Sequence, residues 1–242
     1  MVRNASVMAV LAISVALRAV GAPPAPTPAP TPAPNILAEP FKVGADNLTG
    51  EIAKTPEWLR IWAGVVVSDW ATVRGDAQTL VERFPKSPEP QMALAVGLEG
   101  GGDHEGAVTA LRKAVEIDPQ RLGGWVMLAQ MNFRLNRLQD SALALEQARK
   151  LAPGKIELVL QLAEAYMRLG DAERATRVLA GATKAAPDNA EAWVNYLVAA
   201  SKTSLAEGAW REYDQLKISN PGVAATVAKH LPAGVAGPKP TP

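Results

Sequence analysis

Chemistry in a protein needs nucleophiles, general bases or metal ligands at spacings that a fold can gather, and this chain offers few of them. Its 242 residues hold two histidines, His104 and His230, and no cysteine. Without cysteine there is no disulfide, thiolate nucleophile, cysteine-bound zinc or iron–sulfur cluster. Two histidines so far apart in sequence leave little material for a histidine dyad, triad or metal cluster. Asp103-His104-Glu105 places three ligand types in a row. Consecutive helical residues point about 100° apart, however, and acids at a helix start suit its dipole. Gly100-Gly101-Gly102 suggests a phosphate loop, but no strand precedes it and no Gly-Lys-Ser/Thr follows. There is no G-x-S-x-G, H-E-x-x-H or calcium-loop spacing. The residues therefore predict no enzyme, no metal and no cofactor.

The elements that would position any functional residue are marked by proline. Of twenty prolines, eight lie in residues 23–40, four in 232–242 and eight between. Two Pro-rich tails flank a middle that is long enough to bury its own core, in a chain that is 48% hydrophobic. Residues 1–21 join a cationic start to an apolar run from Val7 to Leu17, with small residues at Ala19 and Gly21. That pattern predicts a secretory signal cut after Gly21, and the apolar run is too short for a comfortable membrane span. Membrane association is expected at most through this N-terminal segment. The alternating Pro/Ala/Thr of residues 22–40 reads as an extended polyproline II tether, and residues 232–242 as a disordered tail. Loss of Arg3 and Arg18 with the signal leaves 23 of the 25 basic residues against 24 acidic ones. A nearly neutral chain gives no bulk-charge reason to bind nucleic acid. Asn47-Leu48-Thr49 fits the N-glycosylation pattern, which matters only in a eukaryotic secretory pathway.

Five interior prolines fall at 85, 119, 153, 187 and 221, at one unvarying interval. A period of this length is the mark of stacked helical hairpins. The residues between repeat in register: Trp125-x2-Leu128-Ala129, Val159-x2-Leu162-Ala163-x2-Tyr166, Trp193-x2-Tyr196. So do Ala107-x3-Leu111, Ser141-x3-Leu145, Ala175-x3-Leu179 and Ala209-x3-Tyr213, with Ala114, Ala148 and Ala182 three residues on. Such spacing draws one apolar stripe per helix, and the small residues let helices approach. Gly102, Asn136 and Gly170 are placed to turn one helix into the next, with Asp103, Gln139-Asp140 and Asp171 as candidate N-caps. Pro56, Pro88 and Pro90 are read as helix starts.

These residues resemble the tetratricopeptide repeat pattern, W-x2-L-G-x2-Y followed by A-x3-F, A and P, over residues 88–221. Asn132 and Ala200 depart from it where the family prefers Tyr, and Ser141 where it prefers Ala. The resemblance implies an all-α, right-handed superhelical solenoid of hairpins flanked by disordered Pro-rich tails. Its expected units are 88–121, 122–155, 156–189 and 190–221. Residues 41–87, with Trp58, Trp62 and Trp70, match loosely and read as a degenerate capping repeat; residues 222–231 read as a short closing helix. The tryptophan cluster is read first as packing, with a ligand platform as the alternative.

In this family the first helices of the units line a groove, which by register would present Met92, Val96, Val126, Gln130, Phe133, Leu160, Glu164, Met167, Val194 and Val198. Arg134, Arg168 and Lys202 form a cationic ladder at the same period, opposite in polarity to Glu89, Glu157 and Glu191 at the helix starts. Helix-dipole stabilisation accounts for that arrangement, with steering of an acidic ligand by Arg134 and Arg168 as the minor reading. The Lys and Asn that would clamp a peptide carboxylate are absent. The resemblance thus implies an exported, periplasmic-type scaffold that takes an apolar helix or extended segment of a partner protein. Self-association through the groove or the Trp-rich end is the alternative.

Overall fold

The computed structural model describes residues 51–237. The expected signal (1–21), the tether (22–40) and the last five residues lie outside them. A single 3₁₀ turn, Ile52–Lys54, leads into eleven α-helices among the described residues, with no strand. They are α1 (Pro56–Val67), α2 (Trp70–Arg83), α3 (Pro88–Gly100), α4 (His104–Ile117), α5 (Leu122–Arg134) and α6 (Leu138–Leu151). There follow α7 (Ile156–Arg168), α8 (Ala172–Ala185), α9 (Ala190–Ala200), α10 (Ala206–Ser219) and α11 (Pro221–His230). Successive helices pack in antiparallel hairpins, and α3 also meets α5, α7 meets α9 and α9 meets α11. The result is a solenoid whose units touch only their neighbours.

Each lattice proline stands two residues past the end of a helix, after Arg83, Ile117, Leu151, Ala185 and Ser219. There it cannot prolong the helix it follows. Pro56 and Pro88 open α1 and α3 at the position where a missing N–H costs nothing, and Pro90 sits in the same first turn as Pro88. The tryptophans of the repeat close the proline turns. Trp125 Nε1 donates to the Pro119 carbonyl at 2.9 Å, and Trp193 Nε1 to that of Pro187 at 3.0 Å. The small-residue stripes are core: Ala107, Leu111, Ala114, Ala175, Leu179 and Ala209 are buried. Ser141 keeps its place in that row because its hydroxyl donates to the Ala129 carbonyl at 2.9 Å.

The turns inside the hairpins share one geometry. Ser68, Gly102, Asn136 and Gly170 all adopt positive φ (60°, 88°, 57° and 79°), spaced at the same interval as the prolines. After each, the next N–H reaches back to a carbonyl five residues earlier: Asp69 to Gly64, Asp103 to Leu98, Arg137 to Asn132 and Asp171 to Tyr166, at 2.8–2.9 Å. Asp69, Asp103 and Asp171 then cap the following helix through their carboxylates. The third unit corrects one expectation. Its N-cap is Arg137, without a side-chain cap bond, and Gln139 and Asp140 lie inside the first turn of α6. The lattice puts the cap directly after the left-handed residue, two positions before Gln139. Asp140 instead faces Arg112 at 3.5 Å. The first unit, loose by its tryptophans, keeps the turn in register; Trp58 is buried and Trp62 and Trp70 pack against the core.

Two glycines in α3 permit its close approach to α2. A Cβ on Gly97 would lie 2.6 Å from the Arg74 backbone nitrogen, and one on Gly100 would enter the Trp70 ring. Gly75, in the middle of α2, has open space around it. Gly97→Ala is therefore expected to lower stability by about 1–2 kcal/mol despite its better helix propensity. Gly75→Ala is expected to raise it by about 0.5–1 kcal/mol. Paired thermal or urea unfolding curves check both; equal shifts would contradict the close contact.

Candidate functional site

The residues expected to face the groove divide along the chain. Met92 and Val96 are corrected to core positions: their exposures are 2% and 0%. The cause is the packing of α3, which is buried nearly all round. The Met92 methyl lies where a Cβ on Gly123 would sit 3.1 Å away, so α5 comes down on it through a glycine. From α5 onward the face opens. Val126, Phe133, Leu160, Met167 and Val194 are partly buried hydrophobics resting on the core, Gln130 and Val198 are half-buried, and Glu164 and Arg168 are exposed.

Two cavities occupy this open part. One, about 340 Å³, lies among α5, α6 and α7 and gathers Gln130, Phe133, Arg134 and Glu164 with Ser141 and Leu145. The other, about 560 Å³, lies among α7, α8 and α9 and gathers Leu160, Glu164, Met167 and Val198 with Glu157, Glu191 and Asn195. Gln161 and Glu164 belong to both and form their common wall. Val126 and Val194 line neither. A third hollow of about 750 Å³ lies between two inter-helix turns. Its Asp171 is occupied as the N-cap of α8, and its Glu173 pairs with Arg177 at 2.9 Å.

The cationic ladder has a structural task that spacing alone did not reveal. Arg134 pairs with Glu99, whose side chain is only 1% exposed, so the pair ties α5 to α3. Arg168 lies 4.5 Å from the centre of the Phe133 ring and donates to Asn136 Oδ1 at 3.0 Å, which ties α7 to α5. Each guanidinium thus reaches back one unit, and the recurrence of a partner one repeat earlier was the available signal. Arg121–Glu89 at 3.2 Å and Arg137–Glu105 at 2.5 Å brace the same first interface. Glu105 in that pair and Asp103 at the cap account for two members of the Asp-His-Glu run.

Where Tyr is present at the family position, it is engaged. The Tyr166 hydroxyl donates to Glu146 at 3.2 Å, and burial together with that carboxylate raises its pKa above the ordinary phenol value. Asn132, at the same position one unit earlier, is buried with its Oδ1 unpaired among the described residues. Tyr196 likewise titrates above the ordinary range, first through burial and then through the Glu212 carboxylate.

Arg134→Leu removes the cation that the buried Glu99 carboxylate faces and is expected to cost on the order of 3 kcal/mol. Adding Glu99→Gln is expected to recover part of that loss, because no charge is then left in the interior. A double-mutant cycle by chemical denaturation measures the coupling, and additive losses would show that the pair is not coupled.

The architecture has known relatives. Residues 102–221 match the family model described as the cytochrome c-type biogenesis protein H TPR domain. No curated protein matches the chain in sequence. Among solved structures, MamA aligns with a TM-score of 0.56 at 16% identity, covering 81% of this chain and 97% of that one. MamA 41-end from Desulfovibrio magneticus RS-1 gives 0.56 at 14%, covering 75% and 98%. YrrB, described as a TPR protein with an unusual peptide-binding site, gives 0.55 at 16%, covering 79% and 99%. At these identities the likeness is one of fold. Period, hairpin packing and family match agree, and residues 102–221 of the chain belong to the tetratricopeptide repeat family.

Proposed function

We propose that this chain is an exported scaffold for protein–protein contacts, which takes an apolar helix or extended segment of a partner into the face formed by α5, α7 and α9. The observation that carries this reading is the pair of adjoining cavities with Phe133, Leu160, Met167 and Val198 in their walls. Apolar side chains left at an open concavity gain by being covered, and helix-in-groove docking covers them. Methionine adds an adaptable surface. Location in a cell-envelope assembly draws support from the signal-like residues 1–21 and from the family match to a cytochrome c biogenesis protein. None of the described helices is long and apolar enough to cross a membrane. No catalytic motif competes with the scaffold reading.

A second reading, self-association, has its own observation. Leu59, Val66 and Val67 are 62%, 69% and 72% exposed on α1, far from the cavities in sequence. A photo-crosslinker placed at Gln161 separates the two readings, with Leu143 as a control, because Leu143 is exposed on α6 and lies outside both cavities. The scaffold reading expects a heterologous adduct from Gln161 in the native envelope and none from Leu143. Phe133→Ala with Met167→Ala should abolish that adduct while helical content by circular dichroism stays unchanged. An adduct of twice this chain's mass supports self-association, and an adduct indifferent to the double substitution removes the groove reading.

A further inference from the structure

The charged groups lining the cavity among α7, α8 and α9 are all of one sign. Glu157, Glu164 and Glu191 line the larger cavity, and among the described residues none of the three has a cation in ion-pair range. Gln130 Oε1, in the adjoining cavity, is a buried amide oxygen without a hydrogen-bond partner. The two arginines of the ladder are already engaged, Arg134 with Glu99 and Arg168 with Phe133 and Asn136. What remains is three carboxylates and the Gln130 amide oxygen, with the neutral amides of Gln161 and Asn195 beside them, around an apolar floor of Leu160, Met167, Leu179 and Val198.

The lattice explains how the face came to be unneutralised. Glu89, Glu157 and Glu191 are register equivalents, the last two in adjacent units and the first two units before Glu157. Glu89 is held by Arg121, the N-cap residue of α5, at 3.2 Å. The residue that stands to Glu157 as Arg121 stands to Glu89 is Asn189, whose Oδ1 is spent capping α9 by accepting from the Ala192 N–H at 2.9 Å. For Glu191 the corresponding residue is Val223. At the groove positions equivalent to Glu164 the other units carry Val96, Gln130 and Val198. The repeat that neutralises its acid at α3 therefore leaves it open at α7 and α9.

We infer that the groove of this chain takes a basic amphipathic segment, one whose apolar side chains rest on the floor between lysines or arginines that meet these carboxylates. A purely apolar segment laid on Leu160 and Met167 would strip water from the glutamates without replacing it. A cationic edge replaces that water with charge-assisted hydrogen bonds and gives Gln130 Oε1 a donor. Glu157 and Glu164 are seven residues apart on α7, two helical turns or about 10 Å. The matching ligand carries basic residues two turns apart with apolar residues between them. Acidic segments are excluded by like charge. This inference rests on the groove reading above and adds the sign of the ligand's charge.

The test uses the full chain and three synthetic helical peptides of about 18 residues. They share one apolar face and carry lysine, glutamine or glutamate at the flanking positions. Fluorescence anisotropy is expected to show the lysine peptide binding tightest, more weakly as salt rises, and the glutamate peptide not binding. Glu157→Gln, Glu164→Gln and Glu191→Gln together are expected to weaken the lysine peptide about tenfold, as three partly exposed ion pairs would. Equal binding of the glutamine and lysine peptides, unchanged in the triple variant, would overturn the charge assignment while leaving the groove in place. Lysine-peptide binding that survives both the triple variant and Phe133→Ala/Met167→Ala overturns it as well, since the contact is then elsewhere. Failure of all three peptides also overturns it, and the Gln161 crosslink then decides separately whether the groove binds anything.

Discussion

A helix stopped and turned back at the same point in four successive hairpins is the constraint on which this solenoid depends. The stop is one residue in the left-handed region, followed by an N–H that reaches five residues back to a free carbonyl. For residues other than glycine that conformation costs roughly 1–2 kcal/mol. Ser68 and Asn136 nevertheless adopt it, so the returning bond and the packing of the two helices outweigh the local cost. At the fifth equivalent position the chain has Ser204 with ordinary φ, and there α9 is the shortest of the repeat helices and α10 begins without a side-chain cap. The same sequence of turn, cap and close glycine contact sets how near neighbouring helices lie. That distance in turn decides which side chains of α3, α5, α7 and α9 remain accessible.

The open face is best understood as what the lattice leaves over. Where a unit supplies both members of a polar pair, as with Glu89 and Arg121 or Glu99 and Arg134, the surface closes and becomes structural. Where a substitution spends or deletes one member, the other is presented outward beside the apolar floor. Position within the repeat and chemical availability are thus separate matters, and a groove residue is defined by the second. Met92 occupies a groove position but is sealed beneath Gly123, whereas Glu157, a dipole partner by its place at the helix start, stands in a cavity wall.

Much of the fold is legible in the sequence because its signals are strictly local. Proline and glycine report backbone conformation directly, so the even spacing of the prolines locates the hand-overs between hairpins, and glycine or asparagine marks three of the four left-handed turns. Ser68 escapes because serine does not advertise positive φ, although Asp69 stands one repeat before Asp103 and carries the register one unit further. Arg137 at a cap and Asp140 within a helix escape for the complementary reason: residue preference points to the acid, and geometry places the arginine. The groove is only partly legible. Phe133, Gln130, Glu164 and Met167 line the two cavities, but Met92 and Val96 are sealed by packing between units. The arginines facing backward to Glu99 and Phe133 likewise depend on contacts between units, which no window within one repeat contains.

The bracing between hairpins is uneven. The α3–α4 and α5–α6 hairpins are joined by Arg134–Glu99, Arg121–Glu89, Arg137–Glu105 and Arg112–Asp140. The α7–α8 and α9–α10 hairpins share one ion pair among the described residues, Lys184–Glu212, at 3.9 Å. Because each unit of a solenoid leans only on its neighbours, stiffness is a local property of each interface. Polar bracing is thus dense towards one end of the solenoid and sparse towards the other, and the cavity among α7, α8 and α9 opens where it is sparse. A segment that entered between α7 and α9 would meet an interface held by apolar packing and one long ion pair, with the cross-braced hairpins behind it.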